Sequence, residues 1–96
     1  MSARSKVKRK DSTHKPIVEA VEKIGATVLD LSGIGGGCPD ILVGYRGKNF
    51  LFELKSPGNQ PKKNQEKWAL AWKGDTYVAV NPDYVIEVLT GYRIRR

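Results

Sequence analysis

The stretch from residue 36 to residue 55 constrains the fold most, because it contains two short apolar runs separated by a tight-turn sequence. The runs Ile41–Tyr45 and Asn49–Leu54 are rich in β-branched and aromatic residues, which favour strands. Between them, Arg46-Gly47 suits a two-residue turn, since glycine accepts the positive φ that a tight hairpin requires. We therefore predict an antiparallel hairpin centred on this dipeptide.

The register of this hairpin brings three ionisable side chains to its open end. If Tyr45 pairs with Lys48, then Asp40 lies opposite Glu53, with their Cβ atoms about 5 Å apart. Because side chains alternate along a strand, Lys55 lies on the same face as Glu53. A turn one residue longer would shift this pairing.

Two carboxylates held together repel each other unless they share a proton or bind a cation. A hard divalent ion such as Mg²⁺ suits an all-oxygen site with few protein ligands and leaves room for water and a phosphate oxygen. The adjacent Lys55 adds a positive charge or a base. Such a site suits metal-assisted attack of water on a phosphodiester. The alternative is a hairpin with an accidental surface ion pair, because Glu-x-Lys is common on strands.

Pro-Asp, a hairpin and Glu-x-Lys in this order resemble the PD-(D/E)XK nuclease superfamily. The longer segment GIGGGCPDILVGYRGKNFLFELK, followed by Gln65 and Trp68, resembles the small stand-alone VRR-NUC proteins of phages and bacteria, which are similar to Holliday-junction resolvases. This resemblance covers nearly all of residues 11–90. It implies a restriction-endonuclease-like αβββαβ core and Mg²⁺-dependent cleavage of DNA, with Mn²⁺ as a substitute ion.

The resemblance also implies roles for individual residues. Asp40, Glu53 and Lys55 would be catalytic, and the metal ion would be held by Asp40, Glu53 and the backbone carbonyl of Leu54. Asp11 is a candidate third metal-binding side chain, and its alternative role is that of a helix cap.

A second set of residues is expected to contact DNA. Gln65 recurs in the family at this place and would position the substrate backbone or the catalytic lysine. Lys62, Lys63 and Lys67 lie in the first turns of a predicted helix, where they would either bind phosphates or form a solvated face. His14 stands where the family often has Gln, so it is a further candidate; the alternative is an exposed imidazole.

Length and composition predict a single small α/β domain. Ninety-six residues leave room for about four strands and three helices, arranged as a four-stranded mixed sheet flanked by helices. We expect residues 1–10 to be a disordered basic arm and residues 11–96 to form the nuclease domain. No apolar run is long enough to span a membrane. A single cysteine, Cys38, excludes an intramolecular disulfide and suits the reducing cytoplasm, and too few soft ligands exist for a zinc site.

The net charge of +7 is concentrated at the two ends of the sequence. Residues 1–10 contain five Lys or Arg and no acid, and residues 93–96 contain three more. The remainder is close to neutral. Basic terminal arms can hold a phosphate backbone without reading its sequence, and the alternative is a solvated tail that aids solubility.

The segments around the hairpin predict the remaining elements. A first helix contains Pro16 in its first turn and stops at Gly25, with an apolar stripe formed by Ile17, Ala20, Val21 and Ile24. A strand follows at residues 27–31, and then a glycine-rich loop at residues 32–38 that would let backbone approach DNA or a partner subunit. The hairpin strands are apolar on both faces, so we expect helices to cover both sides of the sheet and to bury all but the catalytic end.

The second helix is expected to run from Pro61 to about Trp72. Trp68 and Trp72, four residues apart, are interpreted as core anchors, with base-stacking platforms as the alternative. A fourth strand at residues 76–80 and a third helix, capped by Asn81, opened by Pro82 and ended before Gly91, complete the fold.

Together these inferences predict a Mg²⁺-dependent, structure-selective endodeoxyribonuclease, a Holliday-junction resolvase acting on branched DNA in repair and recombination. A homodimer is expected, because resolving a four-way junction needs two symmetric cuts. No organic cofactor or membrane is implied. The alternatives are a catalytically inactive nucleic-acid-binding protein and a nicking or flap nuclease without junction preference.

Overall fold

A computed structural model describes residues 14–92, which form three helices and four strands. In chain order the elements are α1 (His14–Lys23), β1 (Thr27–Asp30), β2 (Ile41–Tyr45), β3 (Lys48–Leu54), α2 (Lys63–Ala71), β4 (Thr76–Ala79) and α3 (Pro82–Thr90). This confirms the predicted α/β class. The predicted basic arm, Asp11 and residues 93–96 lie outside the described residues.

The strands form one sheet in the order β1-β2-β3-β4. The pairs β1–β2 and β2–β3 are antiparallel, and β4 runs parallel to β3, so the sheet is mixed as predicted. Tyr45 pairs with Lys48, which confirms the predicted hairpin register. Both turn residues have positive φ, 49° at Arg46 and 81° at Gly47, as a type I′ hairpin turn requires.

The core lies on one face of the sheet, where α1 and α3 pack against each other and against the strands. The buried apolar side chains are Ile17, Val21, Ala26, Ile41, Val43, Phe52, Leu54, Ala79, Val85 and Leu89. The predicted α1 stripe is confirmed at Ile17 and Val21, but Ile24 is exposed. The helix ends at Lys23 and the chain turns at Gly25, where φ is 97°, so Ile24 leaves the helical face.

The opposite face of the sheet is largely open, and only α2 lies against part of it, around Glu53 and β4. The prediction that helices bury all of the hairpin except its catalytic end is therefore wrong. Leu29, Leu42 and Leu51 form a row across the first three strands on this face. Leu29 is 53% exposed, and Leu42 and Leu51 are only half-buried. Apolar residues on both faces of the hairpin therefore do not correspond to burial on both faces here.

Helix α2 lies beside this open face and packs loosely. It begins at Lys63 rather than at the predicted Pro61, because Lys62 is still extended, with φ −77° and ψ 164°, and acts as the N-cap. No residue of α2 is buried. Trp72, just after the helix, is 47% exposed, so the interpretation of the two tryptophans as core anchors is wrong.

The last helix follows the predicted signals. Asn81 Oδ1 accepts a hydrogen bond from the backbone N–H of Tyr84 at 2.9 Å, and Gly91 ends the helix with φ 80°. The other predicted strand boundaries agree to within one residue. Across residues 14–92, none of the helices has the length and apolar character needed to cross a bilayer.

Candidate active site

The candidate site lies at the end of the sheet where β2 begins and β3 ends. Asp40 directly precedes β2, and its backbone N–H donates to the carbonyl of Phe52 at 3.0 Å. This bond extends the hairpin beyond the Ile41–Phe52 pair and sets Asp40 opposite Glu53, as the sequence predicted. The backbone of Asp40 is held from the other side by the N–H of Leu31, which donates to its carbonyl at 2.8 Å.

The side chain of Asp40 is anchored through Oδ2. That oxygen accepts a hydrogen bond from the backbone N–H of Leu54 at 2.8 Å and lies 3.8 Å from Nε2 of His14. His14, the first residue of α1, is only 9% exposed. The alternative interpretation of an exposed imidazole is therefore wrong, and His14 contacts the Asp40 carboxylate instead of facing solvent.

The side chain of Glu53 is anchored through Oε2. Gln65 Nε2 donates to this oxygen at 2.7 Å, and Nζ of Lys55 lies 3.6 Å from it. The other oxygen, Oε1, is buried and has no hydrogen-bond partner. A buried acceptor without a partner is costly, so this oxygen is suited to bind a proton or a cation.

The two carboxyl groups have opposite pKa shifts. Burial, followed by the neighbouring charge of Asp40, raises the pKa of Glu53 to about 7, although the Lys55 ammonium opposes this. Burial alone would also raise the pKa of Asp40, but the adjacent His14 imidazole and the hydrogen bond from the Leu54 N–H outweigh burial and lower it. At neutral pH the pair therefore carries one firmly ionised carboxylate and one that is poised to lose its proton.

The donor set fits a hard divalent cation only in part. Within residues 14–92 no group of three or more His, Cys, Asp or Glu side chains is arranged to hold a metal ion. Two carboxylates are present, and one of them, Glu53, has an oxygen that lacks any other partner. Mg²⁺ commonly binds through one or two carboxylates and keeps several waters, so a pair of carboxylates matches the smallest sets of protein ligands used for this ion. The role of the Leu54 carbonyl as a ligand stays a prediction. Whether Asp11 adds a ligand lies outside the described residues.

The predicted DNA-contacting residues divide into two groups. Lys62, Lys63 and Lys67 are all exposed around the start of α2. Gln65, by contrast, is half-buried and is directed at Glu53. Its predicted contact with the substrate stays a prediction, while its contact with the Glu53 carboxylate was not anticipated.

Gly37 is a further site-forming residue whose role was not foreseen. Its φ is 90°, and a Cβ at this position would overlap the backbone carbonyl of Asn64 in α2. The glycine-rich loop was expected to approach DNA or a partner subunit, but at Gly37 the close neighbour is α2 of the same chain. Contacts between residues so far apart in sequence leave no local signal.

A cleft of about 380 Å³ separates α2 from the end of the sheet beside the site. Its lining is mainly apolar and includes Pro39, Ala69 and Leu70, with Glu53 and Gln65 at one end. Cys38 lies nearby, and burial, then the charges of Asp40 and Glu53, raise the pKa of its thiol. The thiol is therefore a poor nucleophile at neutral pH.

No protein-family model matches this chain, and searches of curated proteins and of solved structures find no match either. Its function has to be inferred from its own residues and their arrangement.

Proposed function

We propose that this protein is a Mg²⁺-dependent endodeoxyribonuclease with a PD-(D/E)XK core, and that it hydrolyses phosphodiester bonds in branched DNA. The observation that carries the proposal is the buried, unpartnered Oε1 of Glu53, opposite Asp40 and beside Lys55. A proton or a cation relieves this arrangement, and a lysine placed beside a cation-binding carboxylate suits hydrolysis of a phosphate ester. The element order of the described residues is the order that the VRR-NUC resemblance implies.

Each residue of the site would have a separate task. Asp40 and Glu53 would hold the ion, and Gln65 would keep the Glu53 carboxylate in place through Oε2. The bound ion would supply Lewis-acid activation of the phosphodiester and of the attacking water. Lys55 would orient or deprotonate that water and stabilise the negative charge that develops on the phosphoryl oxygens.

Branched DNA, with the four-way junction as its main form, is proposed as the substrate of a homodimer. One site cuts one strand, so paired cuts need two sites related by symmetry. The open leucine row of Leu29, Leu42 and Leu51 carries no charge and offers an apolar surface for association. The basic N-terminal arm and the lysines of α2 would hold the phosphate backbone.

One observation favours a second candidate, a nucleic-acid-binding protein without catalytic activity. The described residues place only two carboxylates at the site and form no larger metal-binding group. A site that holds its ion weakly would leave a protein that binds DNA through its lysines alone.

Cleavage assays with matched substrates test these proposals. A four-way junction, a flap, a linear duplex and a single strand, of equal length and label, should each be incubated with Mg²⁺, Mn²⁺ or EDTA. We expect cleavage with either ion, none with EDTA, and the highest rate on the junction. Binding to all substrates without cleavage in either ion would favour the inactive binding protein. A higher rate on the flap than on the junction would overturn only the proposal that the substrate is a four-way junction.

The control variant is Glu22→Gln, which removes an exposed carboxylate of α1. It should cleave at the rate of the unmodified protein. Cleavage that survives in Asp40→Asn protein purified in the same way would identify a contaminating nuclease and remove the proposed site.

A further inference from the structure

Helix α2 and the residue that follows it combine positive charge with two aromatic rings, of which Trp72 is exposed and Trp68 half-buried. Residues 62–73 contain four of the nine Lys and Arg residues in the range 14–92, but only one of its nine Asp and Glu residues. The positive charge of the otherwise neutral described region is therefore concentrated at this helix. Lys62, Lys63, Lys67 and Lys73 are all exposed.

Trp68 and Trp72 form a stacked aromatic pair toward the C-terminal end of the same helix. Their ring centroids are 4.8 Å apart and the ring planes differ by 16°, so the two indoles are stacked. The indole of Trp72 lies against Gly74, where a Cβ would come within 3.0 Å of Nε1. Trp72 is nevertheless 47% exposed. Its position is thus fixed by neighbours while much of its surface remains free.

This aromatic pair is linked to the candidate active site through the helix itself. Gln65, in the first turn of α2, contacts Glu53. Trp72 follows seven residues later, which places it about 10 Å further along the helix axis at 1.5 Å per residue. At the duplex spacing of about 3.4 Å per nucleotide this distance corresponds to roughly three nucleotides, and a more extended unpaired strand covers it with fewer.

From these observations we propose that α2 is a binding surface for an unpaired segment of a nucleic-acid strand, with one base stacked on Trp72 and phosphates further along the same strand held by the exposed lysines of the helix, Lys63 and Lys67 among them. Aromatic rings beside basic side chains are the usual means of binding single strands, because every base offers a face for stacking. A base inside a duplex has both faces covered, so the surface selects unpaired nucleotides. This proposal rests on the proposed nuclease function in one respect, because the bound strand would be the substrate of the nuclease. The unpaired bases would then lie a few nucleotides from the cut.

The two tryptophans provide a direct probe, since they are the only ones in the sequence. Their fluorescence should be followed while an oligothymidylate is added to the protein in EDTA, where no cleavage occurs. We expect quenching on binding. Affinity should be measured in parallel by anisotropy of a labelled oligothymidylate, so that variants lacking a tryptophan are compared on the same scale.

Trp72→Ala should weaken binding of the oligothymidylate by roughly 5- to 150-fold, the usual range for removal of one stacking ring. Trp72→Phe should retain most of the affinity, because a smaller ring still stacks. The control is Tyr92→Ala, which removes an aromatic side chain that is 75% exposed beyond α3. It should bind like the unmodified protein. Circular dichroism of each variant verifies that it is folded.

Replacing Lys63 and Lys67 with Gln should lower the slope of log affinity against log salt by roughly 0.7 for each phosphate that the protein no longer neutralises. Affinity unchanged in Trp72→Ala would overturn the proposal. So would fluorescence that changes with protein concentration and not with added oligothymidylate, since that result would assign the tryptophans to an interface between copies of the chain.

The active-site variant Asp40→Ala separates this proposal from the nuclease function. It should still bind oligothymidylate, at equal or higher affinity because a negative charge near the phosphates is lost, and its tryptophan fluorescence should still be quenched. Quenching of the unmodified protein without cleavage in any ion would support the binding surface and overturn the nuclease proposal. Cleavage without quenching would support the nuclease proposal and overturn the binding surface.

Discussion

Gln65 donates its side-chain amide to Oε2 of Glu53 at 2.7 Å, while its own Oε1 accepts the backbone N–H of Lys62 at 2.7 Å. One side chain therefore caps the start of α2 and holds a carboxylate at the end of β3. Because α2 has no buried residue, this contact is a principal link between the helix and the sheet. The position of the helix and the geometry of the site should depend on each other.

Replacing Gln65 with Ala should reduce both activity and metal affinity. Removal of an outer hydrogen bond to a metal-binding group typically costs 10- to 100-fold, and we expect an effect of roughly that size on the Mg²⁺ concentration for half-maximal cleavage. The measurement is the cleavage rate across a Mg²⁺ titration. Asn64→Ala, at the exposed neighbouring position, is the control. An unchanged Mg²⁺ dependence in Gln65→Ala would mean that Glu53 is held adequately without it.

Substitutions at Asp40 and Lys55 should separate metal binding from chemistry. Asp40→Ala should abolish cleavage, yet DNA binding should survive or tighten because a negative charge near the phosphates is removed. Lys55→Ala should also abolish cleavage but should still bind the ion. Calorimetry of Mn²⁺ binding to both variants is the measurement, and we expect weakened binding in Asp40→Ala and retained binding in Lys55→Ala. Cleavage by Lys55→Ala at the original rate would remove the lysine from the mechanism.

The raised pKa of Glu53 predicts a specific dependence of stability on pH. Between pH 4.5, its ordinary pKa, and about 7, the folded state holds the Glu53 proton more tightly than the unfolded chain does. The free energy of unfolding contributed by this group therefore falls as the pH rises through that window. A shift of this size sets an upper limit of roughly 3 to 4 kcal/mol, which solvent screening reduces.

Glu53→Gln removes this titration. Urea unfolding of both proteins at several pH values between 4 and 8 should show the unmodified protein losing stability relative to the variant as the pH rises. Glu66→Gln, an exposed carboxylate on α2, should change the pH dependence little. Parallel stability curves for Glu53→Gln and the unmodified protein would show that the Glu53 pKa is not raised.

Gly37→Ala tests the close contact between the glycine-rich loop and α2. The new methyl group would meet the Asn64 carbonyl, and the residue would also be held at φ 90°. Gly35→Ala is a matched control, because its φ is 79° and nothing lies within 4 Å of its added Cβ. Both variants carry a backbone strain of about 1 kcal/mol, but only Gly37→Ala should lose more stability than that. Equal losses in thermal unfolding would show that the helix shifts freely away.

The hairpin and its register were predictable because they depend on local signals. Two β-branched and aromatic runs flank Arg46-Gly47, and this fixes which residues face each other. The prediction that the tryptophans of α2 anchor the core was wrong for a physical reason. The four-residue spacing of Trp68 and Trp72 shows that they share one face of the helix, but it does not show whether that face packs against the core or contacts solvent. The contacts of His14 and Gln65 with the two carboxylates depend on how distant elements pack, so spacing alone does not reveal them.

The open leucine row predicts how two copies of the chain would associate. Leu29 is 53% exposed at the outer strand of the sheet, and it lies beside Leu42 and Leu51 on the face that α1 and α3 leave uncovered. The row itself contains no charged side chain, but Asp40 and Glu53 continue the same face at the site end, because each is two residues from Leu42 or Leu51. Association through the row would bury apolar surface, which favours a closed two-fold dimer that leaves the site end open. Light scattering at moderate salt should give about twice the mass of one chain.

Leu29→Lys should convert that dimer to a monomer, because two lysines would meet across the symmetry axis or become buried unpaired. Ile24→Lys is the control, since Ile24 is exposed at the end of α1 on the covered side of the sheet. The monomeric variant should still nick DNA but should lose the paired cuts that linearise a plasmid bearing an extruded cruciform. A protein that is monomeric at micromolar concentration when bound to DNA would exclude junction resolution by paired cuts. The proposal of nuclease activity would be unaffected by that result.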